Sequence, residues 1–188
     1  MATSTCQRSR EKQKRLRARK PHLRALRRTL PTLAHLAEHP MRWDDDWRDS
    51  LPPISYFTEN GIMFSGLVNY ALARIGVLQP SEGYGTGNYL DAFGEIYGFD
   101  ASAPGIPGAA ALVPYAGSDA SSQGHIALYY SEHGLIQALI FSGNQPGVVD
   151  IYTDIETASW GVDTAFTHYG HLCGVDYTQY GGPDLSAS

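Results

Sequence analysis

Between Gly61 and Gly76 the apolar residues return at helical spacing. Phe64, Leu67, Val68, Ala71 and Ile75 form one stripe, with Asn69 and Arg74 expected to face away from it. Gly76 supplies the left-handed residue that ends such a helix. Upstream, Leu16, Leu23, Leu26 and Leu30 make a sparser stripe that Leu33 and Leu36 continue, and Pro21 and Pro31 suit first-turn positions. Two or three short helices are expected there. Trp43 and Trp47, four residues apart and stopped by Pro52-Pro53, predict another short helix within 41–54. After a Gly-rich turn over 83–87, Leu90, Phe93, Ile96 and Tyr97 predict a helix over 88–97.

From Ala101 the pattern changes to short β-type runs, Ala111–Tyr115, His125–Ser131, Leu135–Phe141 and Val148–Thr153, punctuated by Gly and Asn. Helices followed by an antiparallel meander describe an α+β fold. Between the second and third runs, a three-residue loop Glu132-His133-Gly134 with Gly134 left-handed would pair Ser131 with Leu135 and Tyr129 with Gln137. His125, Tyr129 and Gln137 would then share one face, whereas a two-residue turn would place Gln137 on the other. Beyond Cys173 the tail reads as aromatic, Gly-rich edge structure.

Charge divides the chain. Eleven of the 14 Lys and Arg lie in residues 1–39 against two acids, a net +9, and from Met41 onward three basic residues face 17 acids, a net −14. A basic helical leader over 1–40 and a body over 41–188 follow from that asymmetry. The leader has the charge to hold an anionic polymer, lipid or nucleic acid, but no aromatic residues alternate with its Arg and Lys as a base-stacking site requires. Its thin apolar stripe predicts an arm that lies against its own acidic body and is dispensable for folding.

The two cysteines, Cys6 and Cys173, spell neither a disulfide framework nor a CxxC site. No apolar run is long enough to span a bilayer, and Leu30 to Leu36 is broken by Pro31, Thr32 and His35, so no signal-peptide core follows the basic leader. Synthesis in the cytoplasm is the expectation, and the sequence specifies no oligomeric state. Asp44, Asp45, Asp46 and Asp49 lack the central Gly and terminal Glu of a calcium loop and read as a solvated face. Gly85-x-Gly87 lacks the rest of a nucleotide fingerprint. His168, His171 and Cys173 have a metal-like spacing without a fourth ligand. Neither a cofactor nor a metal is expected.

The run Ser65-Gly66-Leu67-Val68 at the head of its helix, with Tyr56 upstream, resembles the signature of NlpC-type, papain-like cell-wall peptidases, Asp-Cys-Ser-Gly-Leu/Phe-Val. Gly124-His-Ile-Ala-Leu-Tyr129 is similar to that family's His-Val-Gly-Ile-Tyr strand. Pro107 to Pro114 looks like a degraded copy of its Pro-Gly-Asp-Leu-Val strand, with Ala109 in place of the Asp. The resemblance covers roughly residues 54–141. It implies a papain-like α+β domain in which His125 is the general base and Gln137, twelve residues on, orients its imidazole.

The departure lies at the nucleophile. The family's Cys falls on Phe64 and its preceding Asp on Met63. A helix N-terminus lowers a thiol pKa and offers oxyanion donors, and Phe64 keeps that place without the chemistry. As a core residue it would contribute about 2–3 kcal/mol if fully buried. Removing a triad nucleophile costs on the order of a millionfold in turnover, so the resemblance implies a peptidoglycan hydrolase module of the phage-lysin kind that is inactive as written. The alternative is a non-catalytic module that binds wall peptide, with the basic leader on anionic polymer; either would act at the bacterial cell wall. Ser65 and Cys173 are the remaining candidate nucleophiles. Ser65 stands roughly 100° round the helix from Phe64, and Cys173 does not open a helix.

Overall fold

A computed structural model describes residues 23–37, 50–80, 83–100, 103–114, 124–138, 149–152 and 166–182. The expectations for Cys6, Leu16, Trp43, Trp47 and the acidic cluster beside them lie outside these residues. The described residues include three α-helices, α1 (Leu23–Ala34), α2 (Ile54–Asn60) and α3 (Phe64–Arg74), followed by six strands. These are β1 (Phe93–Gly98), β2 (Ala110–Val113), β3 (His125–Tyr129), β4 (Leu135–Ala138), β5 (Val149–Tyr152) and β6 (His168–Leu172). They make one sheet in the order β1-β6-β2-β3-β4-β5, every neighbouring pair antiparallel. The expected α+β class, with helices preceding and packing on an antiparallel sheet, is observed: α3 lies against β3 and β4, and α1 lies against α3. No helix among the described residues is long and apolar enough to cross a membrane.

The α1 stripe is not a thin one. Leu23, Leu26, Leu30, Leu33 and, just past the helix, Leu36 are all buried in the same core as α3 and the sheet. Their spacing keeps them on one side of the helix, while Arg24 and Arg28 are exposed and Arg27 lies over the Tyr180 ring at 4.5 Å. The first N–H of α1 is also spoken for, since Leu23 donates to the carbonyl of Asp176 at 3.0 Å. The expected dispensable arm is thus corrected for residues 23–36, which complete the core. The expected break at Pro31 is absent too. Pro31 lies inside α1, where it removes one helical donor, and burial of Leu30 and Leu33 on either side carries the helix through.

Helix α3 ends as its sequence predicts. Gly76 has φ of 76°, its N–H reaches the carbonyl of Ala73 at 3.0 Å, and Val77 N–H reaches that of Leu72 at 2.9 Å. These two bonds are the Schellman pair. Asn69, expected to face away, is buried: its side chain bonds both the N–H and the carbonyl of Tyr84 at 3.0 Å and accepts from the Tyr89 hydroxyl at 2.7 Å. A polar residue can sit inside because three partners satisfy it.

The helix predicted over 88–97 is instead a 3-10 turn, Tyr89–Ala92, followed by β1. Gly94 disfavours a helix, and the backbone from Phe93 onward pairs with β6. Its alternation then separates Glu95 and Tyr97 from Ile96. Residues 168–172, for which the sequence predicted no strand, form β6, and it sits between β1 and β2 inside the sheet.

Leu26→Ala is expected to lower unfolding stability by about 2–5 kcal/mol, and Arg24→Ala by no more than about 0.5 kcal/mol. Deleting residues 1–37 should abolish the cooperative transition. Urea and thermal denaturation followed by circular dichroism measure all three; an unchanged transition in the deletion variant would return α1 to the status of a detachable arm.

Candidate functional site

Met63 precedes α3 in extended conformation and provides no side-chain cap, and Leu67 N–H closes the first turn on the Met63 carbonyl at 2.9 Å. Phe64 is therefore the first helical residue, at the end where unpaired N–H groups concentrate positive potential. Ser65 follows it and is buried. Tyr56 lies on α2, half-buried, its ring edge-on to Phe57 at 5.3 Å.

The two strands beside α3 carry the expected imidazole and amide. His125 opens β3 and Gln137 lies on β4, and their side chains meet, His125 Nε2 to Gln137 Oε1, at 2.8 Å. Both are fully buried. The register that joins them differs from the predicted one. Tyr129 pairs with Leu135 and Leu128 with Ile136, and the Tyr130 N–H bonds the Gly134 carbonyl at 2.8 Å. The loop is therefore Ser131-Glu132-His133, one residue earlier than expected, and Gly134 is not left-handed. Moving a three-residue loop back by one shifts the pairing by two, which preserves the face. Continuing that register sets small Ala127 opposite Gln137, so His125 and Gln137 meet on the diagonal.

An amide oxygen only accepts, so it holds the imidazole proton on Nε2 and leaves the lone pair of the neutral ring on Nδ1. Burial pushes His125 from its ordinary 6.5 down to about 4, against the smaller upward pull of the Gln137 bond. The ring is neutral near pH 7, the state a general base requires. Gln137 also keeps its amide nitrogen buried without a hydrogen-bond partner, at a cost of about 1–3 kcal/mol. An apolar residue would avoid that cost.

The remaining sequence candidates separate. The intervals in His168-x-x-His171 put the two rings on opposite faces of β6, so they do not share an ion. Cys173 is disulfide-bonded and offers no thiol nucleophile.

A second constellation escaped the sequence reading. Glu95 and Tyr97 of β1 pair with His171 and Tyr169 of β6, so all four side chains stand on one face. With Tyr129 and Tyr180 they line a cavity of about 730 Å³. Tyr169 accepts the Ile106 N–H at 3.1 Å and bonds His171 Nε2 at 3.1 Å, and the Tyr97 hydroxyl donates to Glu95. That bond pushes the Tyr97 phenol up to about 12, while burial lowers His171 against the opposing pull of Glu95. The loop beneath depends on Gly105, where a Cβ would come within 1.9 Å of the Tyr129 ring. Alternation of Glu95 with Tyr97 and of Tyr169 with His171 was the available signal, concealed by the helical spacing of the neighbouring apolar residues.

Between about pH 6.5 and 4 the unfolded chain protonates His125 and the folded chain does not, so the unfolded state binds more protons and stability falls as pH drops through this window. The loss attributable to His125 is at most roughly 3 kcal/mol, and His171, also depressed by burial, acts in the same direction. His125→Gln should flatten the stability profile over this window in urea titrations; an equally steep profile in the variant would show that His125 is not held neutral by the fold.

Comparison with protein-family models, with curated proteins and with solved structures finds no match to this chain. What the site does is decided by its own geometry and chemistry.

Proposed function

We propose that this protein is a peptidoglycan hydrolase-like module of the NlpC-type, papain-like kind, silenced by Phe64 at the nucleophile position. The observation that carries the reading is the buried His125–Gln137 pair, joined at 2.8 Å on the strands that α3 packs against. An amide that fixes the tautomer of a buried imidazole is the arrangement a thiol–imidazole peptidase needs, and burial of an incompletely satisfied amide is unexplained by stability alone.

In an active relative a thiol at position 64 would lose its proton to Nδ1 of the imidazole, and the thiolate would attack the amide carbonyl of a stem peptide. The N–H groups at the helix head would stabilise the oxyanion, and the imidazolium would return its proton to the leaving amine. Water would then release the acyl group by the same base. The Phe64 phenyl ring has no proton to give and no lone pair to attack with, so the sequence stops before the first step.

A second reading, a binding module that retains the groove without cutting, is favoured by one specific observation. The cavity described above is lined by Tyr129 at the far end of β3 from His125, and neither His125 nor Gln137 lines it. Exposed Arg24 and Arg28 on α1 would serve such a module as contacts to anionic wall polymer.

Phe64→Cys is expected to raise amine release from purified peptidoglycan by at least about a hundredfold over the unmodified chain. Adding His125→Ala should remove about 10²–10⁴-fold of that gain. A folded Phe64→Cys protein that is inert on several wall types would favour the binding module. Hydrolysis by the unmodified chain that survives His125→Ala would rule out the assignment of His125.

A further inference from the structure

The cavity between β1, β6 and the 103–106 loop is built from groups that the His125 site does not use. His171, only 4% exposed, lines it. Tyr169 accepts the Ile106 N–H and its hydroxyl meets His171 Nε2 at 3.1 Å; in the tautomer in which Tyr169 donates this bond, the proton of the neutral imidazole is on Nδ1. Nδ1 has no hydrogen-bond partner. The closest carboxylate oxygen, Glu95 Oε2, is 3.8 Å away, beyond hydrogen-bond reach. A buried nitrogen with no protein partner is costly.

These groups restrict what fits. Glu95 and Asp100 both line the cavity and repel an anion. A cation would suit the carboxylates and the tyrosine faces but would leave the His171 N–H pointing at positive charge. A neutral ligand whose atoms both donate and accept satisfies both sides, and the hydroxyl group is the common form of that chemistry. The walls add a flat requirement: Tyr97 and Tyr180 are 44% and 40% exposed, with Arg27 already over the Tyr180 ring. A ring with hydroxyl edges and C–H faces meets all of these conditions, and a volume of about 730 Å³ has room for a short chain of such rings.

We propose that this cavity binds a neutral saccharide, with Tyr97 against the face of a sugar ring, Glu95 accepting from its hydroxyls and His171 Nδ1 donating to one of them. The site is independent of the peptidase reading, since His125 and Gln137 do not line it. Its test has a different readout from hydrolysis.

Isothermal titration of the full chain with cellotriose, maltotriose and tri-N-acetylchitotriose, near neutral pH, tests the proposal. Free stem peptide and putrescine are titrated alongside. Saturable binding of at least one trisaccharide is expected, weakened about tenfold or more by Tyr97→Ala and by Glu95→Gln, and unchanged by Glu59→Gln, an exposed α2 residue outside the cavity. Glu95 and Tyr97 are both partly exposed, so these variants should keep the thermal transition of the parent, which verifies that they fold. Three outcomes overturn the proposal: none of the trisaccharides binds, their binding is indifferent to Tyr97→Ala, or only the peptide or putrescine binds in a Tyr97-dependent way.

Discussion

The pairing of β6 between β1 and β2 is the constraint on which the rest depends. Among the described residues β6 is the sheet neighbour of β1, so β1 pairs its backbone donors and acceptors with a segment that lies about seventy residues later in the chain. The same pairing sets Glu95 opposite His171 and Tyr97 opposite Tyr169, and Cys173 N–H, just past β6, continues it to the Ala92 carbonyl at 2.8 Å. Such distant closure carries a large entropy cost before any contact is formed. Buried side chains on both sides of the join, Phe93 and Leu172 among them, offset it.

Helix α1 closes the structure from the other end of the chain. Its leucines enter the common core, its first N–H is held by Asp176, and Arg27 covers the Tyr180 ring, so the N-terminal and C-terminal segments stabilise each other. Charge composition drew a boundary that packing does not respect. A helix can be strongly basic on one side and wholly buried on the other, and the net charge of a segment reports only the first of these.

Two polar constellations result, of opposite character. His125 and Gln137 are sealed in the sheet, where the directed bond between them orients the ring and desolvation keeps it neutral. Tyr97, Glu95, Tyr169 and His171 instead line an open cavity, with one donor unsatisfied. Buried polar groups are usually paired because the penalty for leaving them unpaired is large. The two exceptions among the described side chains are the Gln137 amide nitrogen and His171 Nδ1, one in each constellation.

Local periodicity was enough for the elements whose partners are near in sequence. The helix α3, its Gly76 cap and the existence of a β3–β4 hairpin follow from side-chain spacing, and the shared face of His125 and Gln137 survived an error in the turn because only its parity mattered. What the sequence could not determine was anything settled by a distant partner. Residues 93–98 carry a helical spacing of apolar side chains and become a strand because β6 supplies hydrogen bonds that the local chain cannot. Asn69 reads as a surface residue and is buried because Tyr84 and Tyr89 come to meet it. The cavity belongs wholly to this second kind: its walls come from segments far apart in the chain, and only the tertiary register of β1 on β6 places them on one face, because a residue's neighbours across a sheet are chosen by backbone pairing and not by its own sequence.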